Sequence, residues 1–230
     1  MEAIVLAGGK AERMGDATGG RPKALVDVAG KPLLAYQVGR LANAGVRRVI
    51  VSCAAGQGGA FREQLAGLGV EIVCAEEPER LGRGGGIKFA SGERTENGDV
   101  YAMNGDELVD VDFAALARRH RETGAAATVA VARPASPFGV VELSDDDVVT
   151  GFREGGRIPY WVNCGVYVLS DEAIERFPDR GDHESTAFPE LAAQGRLRAY
   201  RHEGLWLTVN TPKELRRAQE HVASHSEWLA

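Results

Sequence analysis

Ala3-Ile4-Val5-Leu6-Ala7-Gly8-Gly9-Lys10-Ala11-Glu12-Arg13-Met14 opens the chain, and Arg21-Pro22-Lys23 follows closely. The uncharged run from Ala3 to Ala7 predicts a strand buried on both faces. It breaks at Gly8-Gly9, where the lack of side chains lets backbone approach a ligand and leaves N–H groups bare for phosphate oxygens. Arg13 and Lys23 then supply cations at two points along a polyphosphate chain. An ordinary first strand and turn with surface cations fits the same residues.

Moving outward, short apolar runs at 49–53, 70–74, 100–103 and 127–132 alternate with helical patterns. Leu34, Val38 and Leu41 recur at helical spacing with Gly45 as a stop, and Phe113, Leu116 and Ala117 follow Asp112, an N-cap candidate. Such alternation predicts an α/β fold, a mainly parallel sheet with helices on both faces and ligands at the carboxyl ends of its strands. The character shifts near residue 133. Three strand-like pieces at 139–143, 148–152 and 161–169 predict a β-rich insertion forming one wall of a cleft. Helical periodicity returns at 188–193 and 212–222, with Pro212 at a first helical position. The chain divides on this reading into a nucleotide-binding half (1–132), a sugar-binding half (133–211) and a C-terminal helix (212–230) within one domain.

Composition excludes several classes. At 230 residues the chain can bury a sizeable core. A net charge of −6 leaves no electrostatic footprint for nucleic acid, so anionic substrates must be met by local cations. No apolar run is long enough for a membrane span, and Glu2 leads straight into a strand with no room for a signal peptide. Cys53, Cys74 and Cys164 sit in apolar runs without metal-ligand spacing and read as core residues of a cytoplasmic protein. His120, His183, His202, His221 and His225 lie on polar stretches and read as solvated.

Several motifs together resemble one family. Leu6-Ala7-Gly8-Gly9, Arg13, Pro22-Lys23 and the apolar stretch that follows resemble the signature of the nucleotidyltransferases that make nucleotide sugars. Ala11 stands where the family usually has glycine, which removes no charge and no donor. The resemblance implies a Rossmann-like sheet, with Leu6, Ala7, Gly8 and Gly9 on the nucleotide and Arg13 and Lys23 as catalytic cations. Leu81-Gly82-Arg83-Gly84-Gly85-Gly86 resembles the segment that packs on base and ribose, making Gly82 and Gly85 nucleotide contacts; Arg83 replaces a threonine and reads as solvent-facing. Glu76-Glu77 precedes it, and Glu77 is the candidate to read the donors of guanine.

Asn104-Gly105-Asp106 ends the apolar run at 100–103, where a carboxylate is well placed for magnesium, although an Asx-turn would use the same residue. Resemblance makes Asp106 a metal ligand and Asn104 a sugar contact, with Glu107 and Asp110 as nearby surface residues. Gly139, Glu154 and Asn163 match sugar-side motifs, but Gly155 stands where relatives carry the lysine that holds the sugar phosphate, leaving Arg153 or Arg157 as substitutes. In Trp206-Leu207-Thr208-Val209-Asn210, the family's aspartate is Thr208, and Asn210 is the expected second metal ligand.

The implied activity transfers a nucleotidyl group from a nucleoside triphosphate to a sugar 1-phosphate with Mg2+, GTP and a mannose-type or heptose 1-phosphate being favoured. Uridylyl or thymidylyl transfer, and a non-catalytic nucleotide-sugar-binding relative, are the alternatives. A homo-oligomer is among the expected states.

Overall fold

The computed structural model describes residues 1–9, 14, 19–136, 138–225 and 228; Arg13 lies outside them. The strands of the first half are β1 (Ala3–Leu6), β2 (Asp27–Val28), β3 (Lys31–Pro32), β4 (Arg48–Ala54), β5 (Glu71–Glu77), β6 (Val100–Asn104) and β7 (Glu107–Val109). Helices α1 (Leu33–Asn43), α2 (Gly58–Gln64), α3 (Gly82–Ser91) and α4 (Phe113–Thr123) connect them. The second half holds β8 (Ala127–Ala132), β9 (Val140–Leu143), β10 (Val149–Arg153), β11 (Val162–Leu169), β12 (Leu197–Arg201) and β13 (Trp206–Thr208). With them come α5 (Asp171–Glu175), α6 (Ala187–Ala193) and α7 (Pro212–Ser224).

Seven strands form one sheet in the order β12-β8-β11-β6-β1-β4-β5. Only β11 runs against the rest, pairing antiparallel with both β6 and β8. β1 lies parallel between β4 and β6, so the chain winds outward to β5 and then returns to β1's other side. That reversal opens a crevice beyond the carboxyl ends of β1 and β6.

The uncharged first run is buried as expected: Ala3, Ile4 and Val5 are wholly inaccessible. Ala3 and Val5 face one core with Leu34, Val38 and Leu41 of α1, Phe61 of α2 and Phe113 and Leu116 of α4. Ile4 faces the other, with Ile87 of α3, Phe177 and Phe188. Emptying such a site, as in Ile4→Ala, typically costs about 2–5 kcal/mol. A third cluster seats α7 through Leu215, Ala218 and Val222 on Val28, Leu33 and Tyr36. Asp112 caps α4 by accepting from Ala115 N at 2.8 Å, and Thr211 caps α7 with Pro212 in its first turn. Among the described residues no helix is long and apolar enough to cross a membrane.

Two expectations are corrected. The β-rich insertion is only the β9–β10 hairpin, whose Phe152 and Leu143 are exposed; the third strand-like piece is β11, in the main sheet. Its continuous buried run from Cys164 to Leu169 marks a strand covered on both faces. Histidines 120, 183 and 202 are buried, not solvated. His120 contacts Thr128 Oγ1 at 2.9 Å and His202 lies 3.0 Å from Asp110 Oδ1. His183 stacks on Phe177 with ring centroids 4.6 Å apart, and desolvation pushes it down to about 4.

Candidate active site

The crevice at the end of β1 and β6 holds a cleft of about 470 Å³, within the usual range of ~300–1,000 Å³ for small-molecule sites. Its walls include Leu6, Ala7, Gly8 and Gly9 from the first turn, and Glu77, Gly82, Asn104, Asp106 and Asn210 from later elements. Two backbone bonds tie these ends together: Ala7 N donates to Ser52 O at 2.7 Å and Gly105 N to Leu6 O at 2.9 Å. A Cβ at Gly105 would stand 2.9 Å from Leu6 O, so glycine is what lets the two strand ends meet.

Lys23 enters from a short 3-10 turn behind Pro22 and is almost wholly buried. Its Nζ lies 2.5 Å from Asp106 Oδ2 and also donates to Asn210 Oδ1. The β7–β13 ladder makes this meeting by pairing Thr208 with Glu107 and carrying the chain on, with Val209 N donating to Asp106 O at 2.9 Å. Glu214, in the first turn of α7, accepts from Asn210 N at 2.7 Å and from Thr208 Oγ1 at 3.2 Å. Thr208 is thereby tied to α7, while Asn210 turns its amide oxygen to the cleft.

Two hard oxygens thus converge on one positive charge, a donor pair suited to a divalent cation that completes its shell with water and phosphate. Among the described residues no group of three His, Cys, Asp or Glu side chains forms a metal cage. Asp106 and Asn210 are the residues that would hold such an ion.

Glu107 is not on the surface. It is 7% exposed on the cleft wall, accepting from Asn104 Nδ2 at 3.1 Å and from Trp206 Nε1 at 3.0 Å. Burial, and then the charge of Asp106, push its carboxyl up to about 8. Glu77 is also buried, its Oε1 accepting from Ser52 Oγ at 2.7 Å and its Oε2 from Leu81 N at 3.1 Å. Each carboxylate oxygen keeps a further lone pair for a ligand. Glu76, pointing the other way on β5, accepts instead from Gly56 N at 2.6 Å.

Several expected contacts lie off the cleft wall. Gly85 is buried inside α3, where a Cβ would come 2.5 Å from Asp179 O, so its smallness serves helix packing. Gly139 lies under the Phe152 ring and Glu154 is exposed at the end of the hairpin. Asn163 is engaged by protein: Nδ2 donates to Tyr167 Oη and Glu184 Oε1, both at 2.7 Å, and Oδ1 accepts from Gly165 N at 2.8 Å. Of the four sugar-side candidates, Asn104 lines the cleft. Arg153 and Arg157 pair with Glu142 and Glu203 instead of facing it. Arg83 is not free in solvent, since it bridges Asp182 and Glu184 from the cleft edge. Arg80, another residue of the cleft wall, is what sequence reasoning missed, and Glu107 is one it left on the surface; only tertiary contact picks them from other charged residues.

Comparison with known proteins fits this geometry. The nucleotidyl transferase family model matches residues 2–225. The chain is 31% identical over 244 residues to mannose-1-phosphate guanylyltransferase catalytic subunit beta of Xenopus tropicalis, covering 100% of this chain and 68% of that protein. It is 32% identical over 225 residues to mannose-1-phosphate guanylyltransferase of Mycobacterium tuberculosis, covering 93% of this chain and 62% of that one. HddC from Yersinia pseudotuberculosis shares the fold, with a TM-score of 0.75 at 23% identity over 96% of this chain and 98% of that one. So does a Bacillus anthracis protein solved in complex with sucrose and provisionally assigned as a glucose-1-phosphate thymidylyltransferase. There the TM-score is 0.78 at 17% identity, covering 98% and 96%. The chain belongs to the nucleotidyl transferase family. It is an enzyme of that class, on a mostly parallel α/β sheet flanked by helices.

Proposed function

We propose that this chain joins GTP to a mannose-type or heptose 1-phosphate, releasing pyrophosphate and a nucleotide sugar, with Mg2+ as the cation. The observation that carries this reading is the meeting of Lys23, Asp106 and Asn210 beside the Gly8-Gly9 turn. The names of the relatives at 31% and 32% identity support the choice of base and sugar.

A sugar phosphate is already an anion at neutral pH, so its oxygen can attack the α-phosphorus without a general base. What remains is positioning and charge neutralisation. The Gly8-Gly9 turn offers backbone to the phosphates, and Lys23 brings a buried ammonium to the same end of the cleft. Arg13 is assigned to the leaving pyrophosphate from its place in the sequence motif. Glu77 meets the N1–H and N2 amino donors of guanine, and Asn104 a sugar hydroxyl. Asp106 and Asn210 would hold the Mg2+, whose chemistry there would be to offset charge developing on the phosphates.

A panel of ATP, CTP, GTP, TTP and UTP against glucose, mannose, heptose and N-acetylated hexose 1-phosphates, read by pyrophosphate release, tests the reading. Fastest turnover is expected with GTP and mannose or heptose 1-phosphate. A UTP or TTP preference would overturn the base assignment, and no release from any pair would overturn the proposed reaction with these sugar phosphates.

A further inference from the structure

We propose that Arg80 completes the reading of guanine, its guanidinium donating to O6 and N7 while Glu77 accepts from the neighbouring N1–H and N2 amino group. The inference rests on the GTP reading above and adds a second specificity residue to it.

Three cations among the described residues line the cleft: Lys23, Arg80 and Arg83. Lys23 is engaged by Asp106 and Asn210. Arg83 spends Nε on Asp182 Oδ2 at 2.8 Å and reaches Glu184 Oε2 at 3.0 Å. Arg80 has no such partner among the described residues. Its neighbour Glu79 pairs instead with Arg180 at 3.1 Å, and Glu77 is held by Ser52 and Leu81. A whole guanidinium fork, planar, donating and without an acceptor, is therefore left to a ligand.

The backbone sets this fork beside Glu77. Residues 78–81 link β5 to α3 in a short turn, closed by Leu81 N on Glu77 Oε2 at 3.1 Å. Gly181 braces its far side, with N donating to Leu81 O at 2.7 Å. Gly82 follows at φ +78, and a Cβ there would stand 2.5 Å from Gly181 O, so the turn and the loop behind it are fitted together. Arg80 thus rises from a braced turn whose closing bond is made by the carboxylate that the function reading sets against the base.

The purine edge then selects its role. In guanine N1–H and the N2 amino group donate, and the next polar atoms round the edge, O6 and N7, accept. A carboxylate only accepts, so Glu77 suits the first pair and not the second. An arginine fork on O6 and N7 is the commonest specific contact to guanine in nucleic-acid recognition, and the same geometry serves a mononucleotide. Adenine carries an amino donor in place of O6, which the fork rejects.

The experiment measures kcat/KM by pyrophosphate release, with the sugar phosphate that the panel above ranks first. The nucleotides are GTP, 7-deaza-GTP, which has C–H in place of N7, and ITP, which lacks the N2 amino group. The wild type should prefer GTP over 7-deaza-GTP by about tenfold, the order of one hydrogen bond from a charged donor. Arg80→Met should lower kcat/KM for GTP by about tenfold or more, as for one bidentate base contact, and bring the GTP over 7-deaza-GTP ratio close to one. It should leave the GTP over ITP ratio at its wild-type value, since Glu77 sets that ratio. Should Arg80→Met fail to fold, Arg80→Ala carries the same comparison. An equal loss for GTP and 7-deaza-GTP would make the arginine a phosphate or stacking contact and overturn the proposal, as would a 7-deaza penalty that survives in the variant. A wild type that turns over GTP and 7-deaza-GTP alike defeats this inference only. One that prefers UTP or TTP, or turns over no nucleotide, defeats the GTP reading and this inference with it.

Discussion

Lys23 and Asp106, 83 residues apart in sequence, meet with Nζ 2.5 Å from Oδ2, and Asn210 Oδ1 accepts from the same ammonium. The lysine stands at the point toward which both oxygens are aimed. A cation held there has to displace it, which links metal binding to wherever the ammonium goes next. Phosphate bound on the neighbouring Gly8-Gly9 turn would give it a destination.

Lys23→Met should therefore strengthen Mg2+ binding in the absence of nucleotide while abolishing turnover. Removing one unit charge beside a partly exposed carboxylate warrants a gain of about tenfold in affinity at modest salt. Calorimetric titration of Mg2+ into both proteins, without nucleotide, reads this directly. Unchanged affinity would mean that the ion sits away from Asp106 and Asn210.

Asn210→Asp should also tighten Mg2+, by supplying a second anionic oxygen, whereas Thr208→Ala should leave binding close to wild type because Thr208 is bonded to Glu214. Mn2+ titration followed by electron paramagnetic resonance would compare the variants with the wild type. If Thr208→Ala weakens binding as much as Asp106→Ala does, the second ligand has been misassigned.

How much of this was legible beforehand follows the range of the forces involved. The uncharged run at Ala3–Leu6 and its glycine turn are local signals, and they place the central strand and the cleft. Asp112 and Pro212 mark helix starts through contacts within one turn, and both stand where expected. The hairpin and β11 looked alike because both are β-rich, and only pairing partners separate them. Glu107, His183 and His202 are polar residues whose burial depends on neighbours from other segments, Trp206 and Phe177 among them. No periodicity announces such contacts. Gly85 and Asn163 match motifs but are consumed by packing and by Glu184, which a linear pattern does not reveal.

Glu77→Gln tests base recognition. The carboxylate can accept from both guanine donors, while the amide must turn one donor toward another. The ratio of kcat/KM for GTP over ATP should fall by about tenfold or more, in line with ~1–3 kcal/mol for one good bidentate base contact. With the amide oxygen kept for Leu81 N, Ser52 Oγ can accept from the amide nitrogen and donate to Gly86 O, so the fold should persist. A ratio that stays constant while both rates drop would give Glu77 a purely structural part.

The last prediction concerns acid stability. His183 is wholly inaccessible, ringed by Tyr167, Phe177 and Phe188, and burial pushes it down to about 4. Its ordinary value in the unfolded chain is about 6.5. Between those values the unfolded state binds the proton and the folded state does not, so stability is fully present above about 6.5 and is lost as pH falls toward 4. Both ring nitrogens lack a hydrogen-bond partner among the described residues, so the neutral ring gains little from being polar. His183→Phe should therefore raise the melting temperature more at pH 5 than at pH 7.5, because it removes a proton-binding site that favours unfolding only in acid. Thermal melts of both proteins at the two pH values make the comparison. An equal shift at both would show that packing alone separates them and that His183 does not govern the acid limb.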